Sequence, residues 1–94
     1  MRNRVLRLSA KFHRTRRLLA QPGSPAAAAL AATIARLLAA DLPAPQDAYT
    51  MIAPPVIGYW FRRVPGCNLW VLYSFDDEQL TLRSLTDEPP IPTG

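Results

Sequence analysis

The sequence predicts an α+β domain: a short N-terminal strand, a helical hairpin, then a three-stranded antiparallel meander. An alanine-rich stretch before residue 40 carries leucine and isoleucine at helical spacing, which marks a strong helix. Runs of β-branched and aromatic residues, separated by turn signals, fill the C-terminal half. Two consecutive helices laid on one face of a small sheet give both layers a place to bury their apolar sides.

The elements follow in order. Val5-Leu6-Arg7-Leu8 alternates apolar and charged positions and reads as a short first strand. Ser9 offers an N-cap for a helix over roughly residues 10–20. On its wheel Phe12, Thr15 and Leu19 share one side, while Lys11, Arg14 and Arg17 line another, with His13 and Arg16 between. Pro22-Gly23 stops it, and Ser24-Pro25 restarts a second helix that runs to about Ala40. Leu30, Ile34, Leu37 and Leu38 form its expected buried stripe.

The stretch from Leu42 to Pro55 is rich in proline and reads as a loop crossing the surface. Three strands are expected after it, at Val56–Val64, Leu69–Phe75 and Leu80–Leu85. The first places Ile57, Tyr59 and Phe61 on one face, with Trp60 and Arg62 on the other. Leu69, Val71, Tyr73 and Phe75 share a face of the second. Pro65-Gly66 signals a type II turn, and Asp76-Asp77-Glu78 turns the chain again. Pro89-Pro90-Ile91-Pro92 cannot join a central strand, because proline lacks the donor.

Ninety-four residues, 49% apolar and 19% charged, fit a single small folded domain spanning residues 1–94. A core of that size leaves room for a partner to contribute stability. One cysteine and one histidine exclude an internal disulfide framework and a Cys- or His-based metal site, so no metal or cofactor is expected. Cys67 and His13 read as a bystander thiol and a solvated ring. The two prolines and the glycine within Leu18–Ala35 argue against a membrane span. The arginine-rich start is too long for a secretory leader, and the expectation is an unprocessed cytoplasmic protein without a membrane partner.

Charge is divided unevenly. Residues 1–40 carry eight basic groups and no acid, whereas residues 41–94 carry three basic groups and seven acidic ones. Ten of the eleven cations are arginine, which suits phosphate and carboxylate partners. A polyanion or an acidic protein is the expected partner class, with Lys11, Arg14, Arg16 and Arg17 as its contacts. Arg62, Arg63 and Arg83 all fall on expected strands and can project toward a common surface near Tyr59 or Tyr73, with Tyr59 and Trp60 as candidate contacts for nucleic acid or antitoxin. Arginines can hold a scissile phosphate and stabilise developing charge, and an aromatic ring can stack an unpaired base. The same arginines could instead pair with Asp76, Asp77 and Glu78 across the turns.

A basic first strand, a hairpin beginning Ser9-Ala10-Lys11-Phe12, and Leu69-Trp70-Val71-Leu72-Tyr73 before Ser74-Phe75-Asp76-Asp77 resemble the RelE/ParE superfamily of toxins. The resemblance spans nearly the whole chain in order and length. It implies the toxin of a type II toxin–antitoxin module, neutralised by a cognate antitoxin that is acidic and partly disordered when free. RelE-like members enter the ribosome and cut mRNA without a metal, while ParE-like members poison DNA gyrase. The first activity would make this chain an mRNA interferase, with Arg62, Arg63, Arg83 and Tyr73 as its catalytic set. The alternatives are a gyrase inhibitor and a family member that binds an antitoxin without toxic chemistry. Trp70 stands where ribonuclease members commonly carry arginine, and Thr86-Asp87-Glu88-Pro89-Pro90 where they often carry histidine, arginine or tyrosine.

Overall fold

The computed structural model describes residues 4–52 and 57–90. The chain runs β1 (Val5–Leu8), α1 (Ala10–Leu19), α2 (Pro25–Ala39), β2 (Ala48–Ile52), β3 (Ile57–Arg63), β4 (Trp70–Phe75) and β5 (Gln79–Thr86). The strands form one five-stranded mixed sheet in the order β1-β5-β4-β3-β2. Only β1 is parallel to its neighbour, β5; the other pairings are antiparallel. The expected α+β class, the first strand, the hairpin and the meander all stand. The expected strand start at Val56 and the end of the proline tail lie outside the described residues.

Local chemistry sets the helix boundaries as the sequence implies. Ser9 is extended, and its hydroxyl accepts the Phe12 N–H at 3.1 Å, so α1 starts at Ala10. Ser24 does the same for Ala27 at 3.1 Å, with Pro25 in the first turn of α2. Between them Gly23 takes φ 83°, a left-handed value that side chains disfavour.

One face of the sheet is covered by the helices. Phe12 and Ala20 close over it from α1 and its C-cap, Leu30 and Leu37 from α2. Beneath them lie Val71 and Tyr73 of β4 and Leu80, Leu82 and Leu85 of β5, all almost fully buried. The α2 stripe differs slightly from expectation. Leu30 and Leu37 are buried, Ile34 and Leu38 only partly, and Thr33 is buried between them. The Thr33 hydroxyl donates to the Ala29 carbonyl at 2.9 Å, which satisfies it inside the helix.

The expected surface loop from Leu42 to Pro55 requires correction, because it contains a strand. Ala48–Ile52 pairs antiparallel with β3, from Ala48 opposite Phe61 to Ile52 opposite Ile57, and forms the sheet edge. Tyr49, Thr50 and Ile52 are good strand formers, and proline is tolerated beside an edge strand. Their signal is hidden by the prolines around them. The Pro65-Gly66 turn forms as expected, with Gly66 at φ 75° and the Cys67 N–H donating to the Val64 carbonyl at 3.2 Å.

A bulge in the β4–β5 pairing matters most for the site. Tyr73 faces Leu82 while Leu72 faces Ser84, so Arg83 is the extra residue. The start of α1 fastens this bulge: the Ser9 hydroxyl donates to the Arg83 carbonyl at 2.6 Å. Further along α1, Thr15 Oγ1 accepts the Leu85 N–H at 3.0 Å.

Candidate functional site

Cross-strand partners share a face, so the register sorts every strand residue. Trp60 and Arg62 of β3 point with Val71, Tyr73 and Phe75 toward the helices. Tyr59, Phe61 and Arg63 point the other way, with Trp70, Leu72 and Ser74 of β4. No described helix packs on that second side, the open face, although Phe61, Leu72 and Ser84 on it are buried.

Two arginine–aromatic clusters stand on it. Arg83 lies over the Tyr59 ring, 5.9 Å from its centroid, and its Nε donates to Ser74 Oγ at 3.0 Å. Arg63 lies over the Trp70 ring at 5.8 Å, and its Nε donates to the Cys67 carbonyl at 3.3 Å. Between the clusters the Phe61–Leu72 pair forms a buried apolar floor. Tyr59 and Arg63 are four residues apart on one strand, about 13 Å at strand rise. Both arginines are exposed. A cation–π contact at an exposed site contributes roughly 0.5–1 kcal/mol. A charge-assisted bidentate bond to phosphate is stronger, so the rings aim these guanidinium groups without sequestering them.

Arg62 and Tyr73 do not join them, which corrects the expectation of one common arginine surface. Both are buried on the helix side. Arg62 Nε and Nη2 donate to the two carboxylate oxygens of Asp47 at 2.5 and 2.9 Å. The Tyr73 hydroxyl donates to Asp47 Oδ2, and the Asp47 side chain is fully buried. Burial, and then the bond to Asp47, push the Tyr73 phenol well above its ordinary range, so it stays protonated. Burial opposes the Arg62 charge, but hydrogen bonding and charge pairing with Asp47 outweigh it and raise the pKa. This triad fastens the connector before β2 to the middle of the sheet. A tyrosine enclosed in this way cannot stack a base.

Sequence reasoning missed Asp47. Its partners are 15 and 26 residues away, and no local pattern marks a carboxylate in a proline loop as buried. The signal available is an arginine on a strand face shared with Gly58 and Trp60, since a buried cation needs an anion.

The other expected contacts scatter. Trp60 is half-buried on the helix side, edge-on to Tyr49 with centroids 5.2 Å apart. Lys11, Arg14 and Arg17 are exposed on α1, on the opposite side of the sheet from Arg63 and Arg83. Arg16 is half-buried, over the Phe12 ring at 5.8 Å and bonded to His13 Nδ1 at 3.2 Å. Arg4, part of the basic N-terminal count, is buried and structural. Its Nε donates to the Asp76 carbonyl at 2.7 Å and its Nη1 to the Ala40 carbonyl at 3.1 Å. Cys67 is a half-buried free thiol.

Among the described residues no group of three or more His, Cys, Asp or Glu side chains could hold a metal ion. No described helix is long and apolar enough to cross a membrane. The order of one strand, two helices and then further strands in a mixed sheet is consistent with RelE-like folds. In comparisons with known proteins, no family model, curated sequence or solved structure matches the chain.

Proposed function

We propose that this chain is a RelE/ParE-like toxin that grips RNA on its open sheet face and stops translation by cutting ribosome-bound mRNA, until a cognate acidic antitoxin neutralises it. The observation that carries the reading is the pair of exposed arginine–aromatic clusters, Arg83–Tyr59 and Arg63–Trp70, facing the same side. Guanidinium groups bind phosphate, and the aromatic rings offer faces to unpaired bases. Ser74 and Tyr59 aim Arg83 at the phosphate, where it stabilises charge that develops as the bond breaks. Arg63 on the Trp70 ring holds a neighbouring phosphate. Arg62 and Tyr73 support the sheet from behind and touch no substrate.

A second reading rests on what the open-face side chains are. Among the described residues the two clusters supply guanidinium, indole, phenol and hydroxyl groups, with no carboxylate or imidazole contact to take the 2′-hydroxyl proton. Cleavage then depends on a base from the ribosome itself. Without that help the same face would block a target by binding alone, as a gyrase inhibitor or an inert antitoxin ligand.

The test is induction in growing cells, with translation, message integrity and DNA replication followed separately. A rapid stop in amino-acid incorporation with cut messages is expected, relieved by alanine at Arg63 and Arg83. Broken DNA with translation intact would transfer the target to gyrase. Normal growth would leave only the binding function.

A further inference from the structure

The strand register places one more cation on the open face. Arg7 of β1 pairs with Thr81 of β5, and Thr81 pairs with Ser74 of β4, whose hydroxyl accepts the Arg83 Nε–H. Cross-strand partners share a face, so Arg7 stands on the same side as Arg63 and Arg83. It is exposed, and among the described residues it makes no ion pair. The other arginines near the sheet differ. Arg62 faces the helices against Asp47, and Arg4, just before β1, is buried against two backbone carbonyls. Each exposed arginine on a described strand therefore lies on the open side. None of the five strands contains aspartate or glutamate. The acids stand at the strand ends instead, Asp76-Asp77-Glu78 where β5 begins and Asp87-Glu88 where it stops, all exposed. The face is thus a cationic band running across the strands, with negative charge at both of its long edges. From β1 to β3 the band covers three strand spacings, about 14 Å.

We infer that Arg7 is a third phosphate contact, and that an unpaired RNA strand crosses the sheet from β1 to β3 over Arg7, Arg83 and Arg63. This deepens the proposed function and rests on its assignment of RNA to the open face. The path follows from charge. An RNA strand running parallel to the β-strands would carry phosphates over an acidic turn, where like charges repel. A path across the strands meets three cations and no strand carboxylate. Tyr59 and Trp70, under Arg83 and Arg63, lie along it and offer their rings to bases. Paired bases offer those rings no free face, so the ligand is single-stranded. Among the described residues no aromatic ring lies against Arg7, so it contributes charge without sequence preference.

The probe is a fluorescein-labelled oligouridine of about ten nucleotides, titrated by anisotropy into the full chain over a range of salt. Each phosphate contact on a single strand adds about 0.7 to the salt slope, so Arg7→Gln is expected to lower the slope by about 0.7. Arg7→Gln combined with Arg63→Ala and Arg83→Ala should lower it by about 2.1. Arg7→Lys should keep the slope, because the charge remains. The melting temperature should hold in both single variants, since Arg7 is exposed on an edge strand. Thr81→Glu leaves Arg7 in place and sets a carboxylate beside it, and should weaken binding. That variant keeps the test valid if Arg7→Gln bares the edge and self-associates. The same strand paired with oligoadenosine should bind more weakly than the free strand. An Arg7→Gln slope equal to the parent's overturns the inference, as does a silent Thr81→Glu where Arg7→Gln self-associates. So does a duplex that binds as tightly as the single strand. In each of these cases a slope lowered by alanine at Arg63 and Arg83 leaves the RNA reading standing. RNA that the parent chain does not bind overturns both.

Discussion

Asp47 ties the connector before β2 to the sheet through a fully buried carboxylate. Its carboxylate receives Arg62, Tyr73 and, at 3.3 Å, the Ala44 N–H. Removing one member of a buried pair leaves the other charge without a counterion and costs about 3–5 kcal/mol. Asp47→Ala is therefore expected to lose stability on that scale in urea unfolding, while Asp87→Ala, exposed beyond β5, changes little. Tyr73 gives the fold a distinct alkaline limit. Its phenol is raised in the folded state, so above the ordinary value of 10.0 the unfolded chain releases the proton while the native one keeps it. Stability should be constant with respect to this group below pH 10 and fall as pH rises beyond it. Tyr73→Phe should be less stable at neutral pH and lose that part of the alkaline slope. Gly58 has a different reason to be small. A Cβ there would land in the phenol of Tyr49, which crosses the glycine from the neighbouring strand. Gly58→Ala should destabilise by about 1–3 kcal/mol, the usual range for overpacking, and Tyr49→Ala in the same chain should recover most of it.

At the scale of elements, α1 is bound to β5 through two side chains that also serve the helix itself. Ser9 caps α1 and fixes the bulge carbonyl of Arg83; Thr15 bonds the Leu85 N–H. Ser9→Ala should cost about 1–2 kcal/mol through removal of the cap and should also loosen Arg83. The measurement is chemical unfolding together with, on the proposed RNA reading, RNA affinity, which should fall although Ser9 lies away from the Arg83–Tyr59 contact. The β4–β5 turn has its own acid limit. Asp76 accepts the Glu78 and Gln79 N–H groups, both at 2.7 Å, which holds its pKa below 3.8. Its contribution is present above that value and disappears as pH falls through the folded pKa. The capping serines were legible from sequence because a cap is a local pattern. The strand β2 was not, because prolines around Tyr49 and Thr50 obscure a pairing that only β3 makes possible.

For the whole molecule, the division of charge along the chain becomes a division in space. The cations of α1 and those of the open face lie on opposite sides of the sheet and so form two separate surfaces. The salt dependence of binding separates them. For a single strand, each phosphate that the protein no longer neutralises should lower the salt slope by about 0.7, so alanine at Arg63 and Arg83 should lower it by about 1.4. Glutamine at Lys11, Arg14 and Arg17 should leave the slope for single-stranded RNA unchanged. A larger change from the α1 variant would place RNA on the helices and overturn the assignment of the open face.

Sequence alone determined the class of fold, both helix starts and the three C-terminal strands. Each depends on residues within a few positions of one another, through caps, periodicity and turn chemistry. It also named Arg62, Arg63, Arg83, Tyr59, Trp60 and Tyr73 as candidates for a phosphate- and base-binding surface, without saying which of them meet. The tertiary structure decided that Arg62 and Tyr73 turn inward, because strand alternation sends neighbours to opposite faces and a distant Asp47 neutralises the buried cation. It placed Arg83 beside Tyr59 through a one-residue bulge, which shifts the alternation that sequence reading assumes. Pairing across the sheet and burial under the helices join residues tens of positions apart, and no local pattern of side chains encodes which of those contacts form.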